Sequence, residues 1–96
     1  MTTMDNTIEK LEAIIADRKR AAPSGSYTAS LFAAGLPRIA QKVGEEGVET
    51  VVAALSQDND RLAAEMADLI YHCLVLLAAR DMCWEDVEQE LAQRFK

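Results

Sequence analysis

The sequence predicts an all-α protein, a small bundle of four to five helices completed by dimerisation. Three observations carry that reading. Half of the 96 residues are hydrophobic but only five are aromatic (one Trp, two Tyr, two Phe), which favours an Ala/Leu/Val core. Four glycines and two prolines suit a helical protein better than a sheet protein. Apolar residues recur at helical spacing along most of the chain. Its length corresponds to one domain, residues 1–96, near the small end of what buries its own core.

Helix one is expected over residues 7–19, where Ile8, Leu11, Ile14 and Ile15 repeat on one face. Asn6 is its candidate cap, with Glu9 three residues on. Arg18, Lys19 and Arg20 close it, where cations suit the carbonyl end. Residues 21–35 carry Pro23 and Gly25 and no charge. Residues 23–28 read as a loop and 29–34 as a short helical turn, with Leu31 and Phe32 facing inward. Helix two starts near Pro37, a residue tolerated at the first helical position, and continues to about Leu55. Ile39, Val43, Val48, Val51 and Leu55 supply its expected core face.

SQDND, residues 56–60, is a turn rich in capping residues. Helix three follows over residues 61–80, with Leu62, Met66, Leu69, Ile70, Cys73, Leu74, Leu76 and Leu77 apolar. That face is too wide for a small monomer to cover, so a second copy of the chain is expected against it. Helix four spans residues 84–95, with Trp84, Val87, Leu91 and Phe95 expected inside.

The net charge of −6 argues against nucleic acid held by direct phosphate contacts. Cys73 and Cys83 form no metal-ligand spacing, and Cys73 reads as packing. This is the profile of a reducing compartment. No signal-peptide pattern opens the chain, and the longest near-apolar run, residues 69–79, is 11 residues. A membrane span needs roughly 18 or more. A cytoplasmic protein with no membrane partner is expected.

The chemistry concentrates in KVGEEGVETV, residues 42–51. With Glu45 at zero on a helical wheel, Glu49 falls at about 40°, Lys42 at about 60° and Glu46 at about 100°. The three glutamates therefore share a sector, expected to adjoin a core stripe of Val43, Val51 and Leu55. Like charges at this spacing cost roughly 0.2–0.5 kcal/mol per pair, and Gly44 and Gly47 each cost a helix about 1 kcal/mol against alanine. A cation bound by the carboxylates, with something approaching closely at the glycines, resolves both. Helix three repeats the theme: Glu65 and Asp68 share a face, with His72 four residues on and Arg61 on the same side.

Fifteen residues separate Glu49 from Glu65. Antiparallel helices joined that way set Glu46 and Glu49 opposite Glu65 and Asp68. Four converging carboxylates make an oxygen site for a hard cation, Mg²⁺ by default and Mn²⁺ as a substitute. A di-iron bundle fits poorly, because it needs Glu-x-x-His pairs and Leu69 stands three before the single histidine.

EExxE followed by ExxD on consecutive helices resembles the all-α nucleotide pyrophosphohydrolases, which include MazG-like enzymes and all-α dUTPases. More narrowly, SYTASLFAAGLPRIAQKVGEEGVETVVAAL and EMADLIYHCLVLLAARDMCWEDVEQEL resemble the phosphoribosyl-ATP pyrophosphohydrolase family. The Ser26-Tyr27-Thr28 loop, Lys42 and Tyr71-His72 make the narrower likeness. The resemblance implies a homodimeric, Mg²⁺-dependent hydrolase that converts phosphoribosyl-ATP to phosphoribosyl-AMP and pyrophosphate, the second step of histidine biosynthesis. It implies metal ligands at Glu46, Glu49, Glu65 and Asp68. Glu45 matches a position expected to hold or activate water. No fused cyclohydrolase domain is seen, so the next step is expected to need a separate protein.

Catalytic work is assigned to Glu45, Glu46 and Glu49, and which of them accepts the proton stays open. Lys42 is a candidate phosphate contact, or else balances charge in the acidic face. Ser26, Tyr27 and Thr28 are candidate contacts to phosphate or ribose; the alternative is that Tyr27 anchors the loop to the bundle. His72 either hydrogen-bonds substrate or sits satisfied and partly buried. Two other functions stay open: a broader nucleotide-cleaning pyrophosphohydrolase with the same acidic site, and a non-catalytic helical dimerisation module.

Overall fold

A computed structural model describes residues 7–95, all of whose regular structure is helical. Asn6, the expected first cap, lies outside these residues. Five helices follow one another: α1 (Thr7–Ala21), α2 (Tyr27–Ala34), α3 (Leu36–Ser56), α4 (Asn59–Ala79) and α5 (Trp84–Gln93). α1 stops where Ala22 adopts a left-handed conformation (φ 46°). The Lys19 Nζ reaches across to the Ala78 carbonyl at 2.7 Å, placing a cation at the carbonyl end of α4.

α2 is longer than expected. Ser26 caps it, its Oγ accepting the Ala29 N–H at 3.1 Å, so the helix begins at Tyr27 and not two residues later. The turn before α4 is correspondingly short, because Asp58 accepts the Arg61 N–H at 2.9 Å and lets helix resume at Asn59. At α5 the Asp86 carboxylate accepts the Cys83 N–H at 3.0 Å, half of the reciprocal arrangement that normally has Ser or Thr at the cap.

The core joins α1 through α4: Ile15, Leu31, Ile39, Leu74 and Val75 are buried together, with Ile8, Leu11, Phe32 and Ile70 against them. α3 and α4 form the main packing unit, an antiparallel pair across a short turn. The buried residues of α3 are Ile39, Glu46 and Ala53, each seven after the last, which is one stripe of a helix facing its neighbour. This corrects the expected core face. Val48, Val51 and Leu55 lie on the opposite side and are exposed, together with Val52. The seam with α4 passes through the acidic sector itself, and the valines are left for some other surface.

α4 is also rotated from expectation. Val75, absent from the predicted apolar set, is fully buried, His72 is buried, and Met66 is exposed. α5 touches the bundle through Trp84, whose backbone N–H donates to Glu12 Oε2 at 2.8 Å. Leu91 and Phe95 are exposed, contrary to their expected inward face. By length and composition alone, the whole of α4 would suffice to cross a membrane, which the 11-residue run did not suggest. It packs against α3 and α1, with Leu74 and Val75 buried.

Candidate active site

The α3–α4 seam carries the chemistry. Glu46 stands between Ile39 and Ala53 in a stripe that packing requires to be inward, so the residue is only 7% exposed. Glu49, one turn on, and Glu65, from the first half of α4, reach the same place. One carboxylate oxygen from each of Glu46, Glu49 and Glu65 lies within 4.8 Å of the others. Asp68 is exposed and outside that closest group, but near enough for its charge to act on Glu49.

Cations flank the cluster. Lys42 Nζ lies 3.6 Å from Glu46 Oε1 and 3.3 Å from Glu45 Oε1. Arg61 lies 3.2 Å from Glu65 Oε2. Even so, Glu46 Oε2 is buried with no hydrogen-bond partner. A buried anionic oxygen without a partner is costly, and the grouped oxygens of Glu46, Glu49 and Glu65 are a donor set for a hard divalent cation. The residues present therefore fit such an ion.

The titration behaviour follows from these neighbours. Glu46 raises the Glu49 carboxyl above its ordinary range, first by a shared hydrogen bond and then by like charge. Glu45 is lowered by the hydrogen bonds it accepts from Lys42 and Gln41, the latter at 2.9 Å. Burial works to lower Lys42, but Glu45, Tyr27 and Glu46 outweigh it and the ammonium titrates above its usual value. Glu45 thus faces Lys42 and Arg38, not the three-carboxylate cluster.

The remaining candidate residues form the other end of the site. The carbonyl of Asp68 can only accept, so His72 Nδ1 donates to it, at 2.7 Å. In the neutral ring Nε2 then accepts from the Tyr27 hydroxyl at 3.0 Å. Tyr27 anchors its loop to the bundle, and His72 is buried with both nitrogens engaged. Thr28 pairs with the Tyr71 hydroxyl, and Ser26 is occupied in capping α2. Sequence reasoning gave Tyr71 no role; its partner is 43 residues away and no local signal links them. Gly44 and Gly47 sit in regular helix, and a methyl group on either would meet nothing within 4 Å of this chain. Neither glycine admits a neighbour from within the protein.

Comparison with known proteins identifies the family. The family model described as phosphoribosyl-ATP pyrophosphohydrolase matches residues 8–95. The phosphoribosyl-ATP pyrophosphatase of Novosphingobium aromaticivorans is 55% identical over 87 residues, covering 91% of this chain and 81% of that protein. The protein of the same name from Metallosphaera sedula is 52% identical over 93 residues, covering 97% of this chain and all of its own length. The histidine biosynthesis bifunctional protein HisIE of Vibrio cholerae is 53% identical over 89 residues, which are 93% of this chain and 42% of that longer protein. With a family model spanning all but a few of its residues, the chain belongs to the phosphoribosyl-ATP pyrophosphohydrolase family.

Proposed function

We infer that this chain hydrolyses phosphoribosyl-ATP to phosphoribosyl-AMP and pyrophosphate, the second step of histidine biosynthesis. The observation that carries the reading is the buried Glu46, one of its oxygens unpartnered, grouped with Glu49 and Glu65 at the α3–α4 seam of a chain in this family. Glu46, Glu49 and Glu65, with Asp68 beside them, would hold Mg²⁺, or Mn²⁺ in its place, which when bound neutralises the polyphosphate and offsets charge at phosphorus. Lys42, held by two carboxylates at the edge of the cluster, has an N–H left for a phosphate oxygen.

Water is the nucleophile in this account. Its oxygen forms the new bond to phosphorus, the bridging P–O bond breaks, and pyrophosphate leaves. The water's proton passes to a carboxylate of the acidic face. Lys42 and Gln41 keep Glu45 ionised, so it can accept that proton, although with reduced basicity. Ser26, Tyr27, Thr28 and His72 are the residues that would meet the ribose and its phosphate. A homodimer in the cytoplasm completes the proposal. Val48, Val51, Val52 and Leu55 form an exposed apolar strip on α3, of the kind a second copy covers.

A substrate panel tests the assignment. With Mg²⁺, phosphoribosyl-ATP is expected to be cleaved faster than dUTP or dCTP, and the gene is expected to restore growth of a histidine auxotroph lacking this step. Faster cleavage of dUTP or dCTP, or failure of a folded, expressed protein to complement, contradicts the assignment.

A further inference from the structure

Two hydrogen bonds side by side join the start of α2 to the middle of α4: Tyr27 to His72 and Thr28 to Tyr71. Three rings meet there. Tyr71 and His72 are edge-on at 4.8 Å, and Tyr27 lies 5.9 Å from His72 and 6.3 Å from Tyr71 between centroids. We propose that Tyr71 is a positioning residue for substrate binding: with His72 it clasps the start of α2, and with it the loop of residues 22–26, against the acidic site.

The placement supports this. His72 is seven residues past Glu65 and four past Asp68, so it shares their face of α4. The contacts therefore run from Asp68, whose carbonyl His72 holds, through the His72 ring to the Tyr27 hydroxyl. On its other side Tyr27 borders a groove of about 440 Å³, lined also by Arg18, Ser24, Ser26 and Thr28. That is a ligand-sized space, and the two clasped residues form part of its wall.

Residues 23–25 are exposed, and Gly25 takes a left-handed conformation (φ 82°). The backbone bond from the Ser26 N–H to the Pro23 carbonyl, 3.3 Å, closes only the loop's own turn. Anchorage to α4 comes from the hydroxyls of Tyr27 and Thr28. Tyr71 touches none of the carboxylates that the proposed chemistry uses, so its hydroxyl governs where the loop sits and leaves the reacting end alone.

The inference rests on phosphoribosyl-ATP being the substrate. Tyr71→Phe is expected to raise KM for phosphoribosyl-ATP about five- to tenfold, the effect of losing one hydrogen bond. kcat is expected to stay within about twofold, because the acids are untouched. Amide exchange should quicken over residues 23–30 in Tyr71→Phe and stay unchanged in α3 and α4. An unchanged KM, unchanged exchange over residues 23–30, or a fall in kcat at constant KM overturns the clasp. A wild-type protein that does not cleave phosphoribosyl-ATP sinks the proposed function as well; active wild type with an unaffected Tyr71→Phe sinks the clasp alone.

Discussion

Lys42 approaches Glu46 to 3.6 Å at Oε1, while Oε2 of the same carboxylate is buried without a partner. The lysine, one turn away on α3, balances charge at one oxygen and leaves the other without a partner, on a residue grouped with Glu49 and Glu65. A seam built only for stability would place an apolar residue between Ile39 and Ala53. The cost of the glutamate is a measure of what the position is for.

Glu46→Gln should therefore stabilise the metal-free protein, by roughly 1 kcal/mol, by removing an unpartnered buried charge and its repulsion from two neighbours. Mg²⁺ should raise the melting temperature of the wild type and have little effect on the variant. Thermal unfolding with EDTA and with Mg²⁺ checks both. A Glu46→Gln protein that is less stable without metal, or equally protected by Mg²⁺, argues against the site.

Glu49 predicts a pH dependence in the metal-free state. Its carboxyl titrates above the ordinary glutamate value of 4.5 in the folded chain, because it shares a hydrogen bond and a charge conflict with Glu46. A group that holds its proton more tightly when folded stabilises the fold below the ordinary value. That contribution is lost as the pH rises through the folded value. Melting temperatures in EDTA from pH 4 upward should show a decline that Glu49→Gln reduces. Glu45 opposes the trend, since its lowered carboxyl favours the fold above the ordinary range, so the comparison must be with the Glu49 variant.

Val48, Val51, Val52 and Leu55 are between about half and four-fifths exposed, on the side of α3 away from α4. Sedimentation should find the wild type as a dimer, and Val51→Glu with Leu55→Glu should shift it toward monomer without unfolding the bundle. A wild type that sediments as a monomer at micromolar concentration would remove that strip from the account.

The helices and the meeting of two acidic motifs were legible because i, i+3 and i+4 spacing fixes a face whatever lies opposite. The rotation of α3 was not legible. Val48, Val51 and Leu55 read as core because composition cannot tell a residue covered by its own chain from one left outside. A glutamate in the buried stripe ran against the usual preference for burying apolar side chains. The capping Ser26 was visible, but Pro23 and Gly25 before it masked the start of α2. The pairs Tyr27–His72 and Thr28–Tyr71 join residues more than forty positions apart, and only the packing of α2 on the bundle brings them together.

The most direct test is the rate of pyrophosphate release from phosphoribosyl-ATP by wild type and by Glu46→Gln at saturating Mg²⁺. The account predicts an active wild type, silenced by EDTA, and a folded variant slower by about 10²-fold or more. A Glu46→Gln protein that keeps its rate, or a wild type indifferent to EDTA, would mean that the carboxylates of the α3–α4 seam do not drive the reaction.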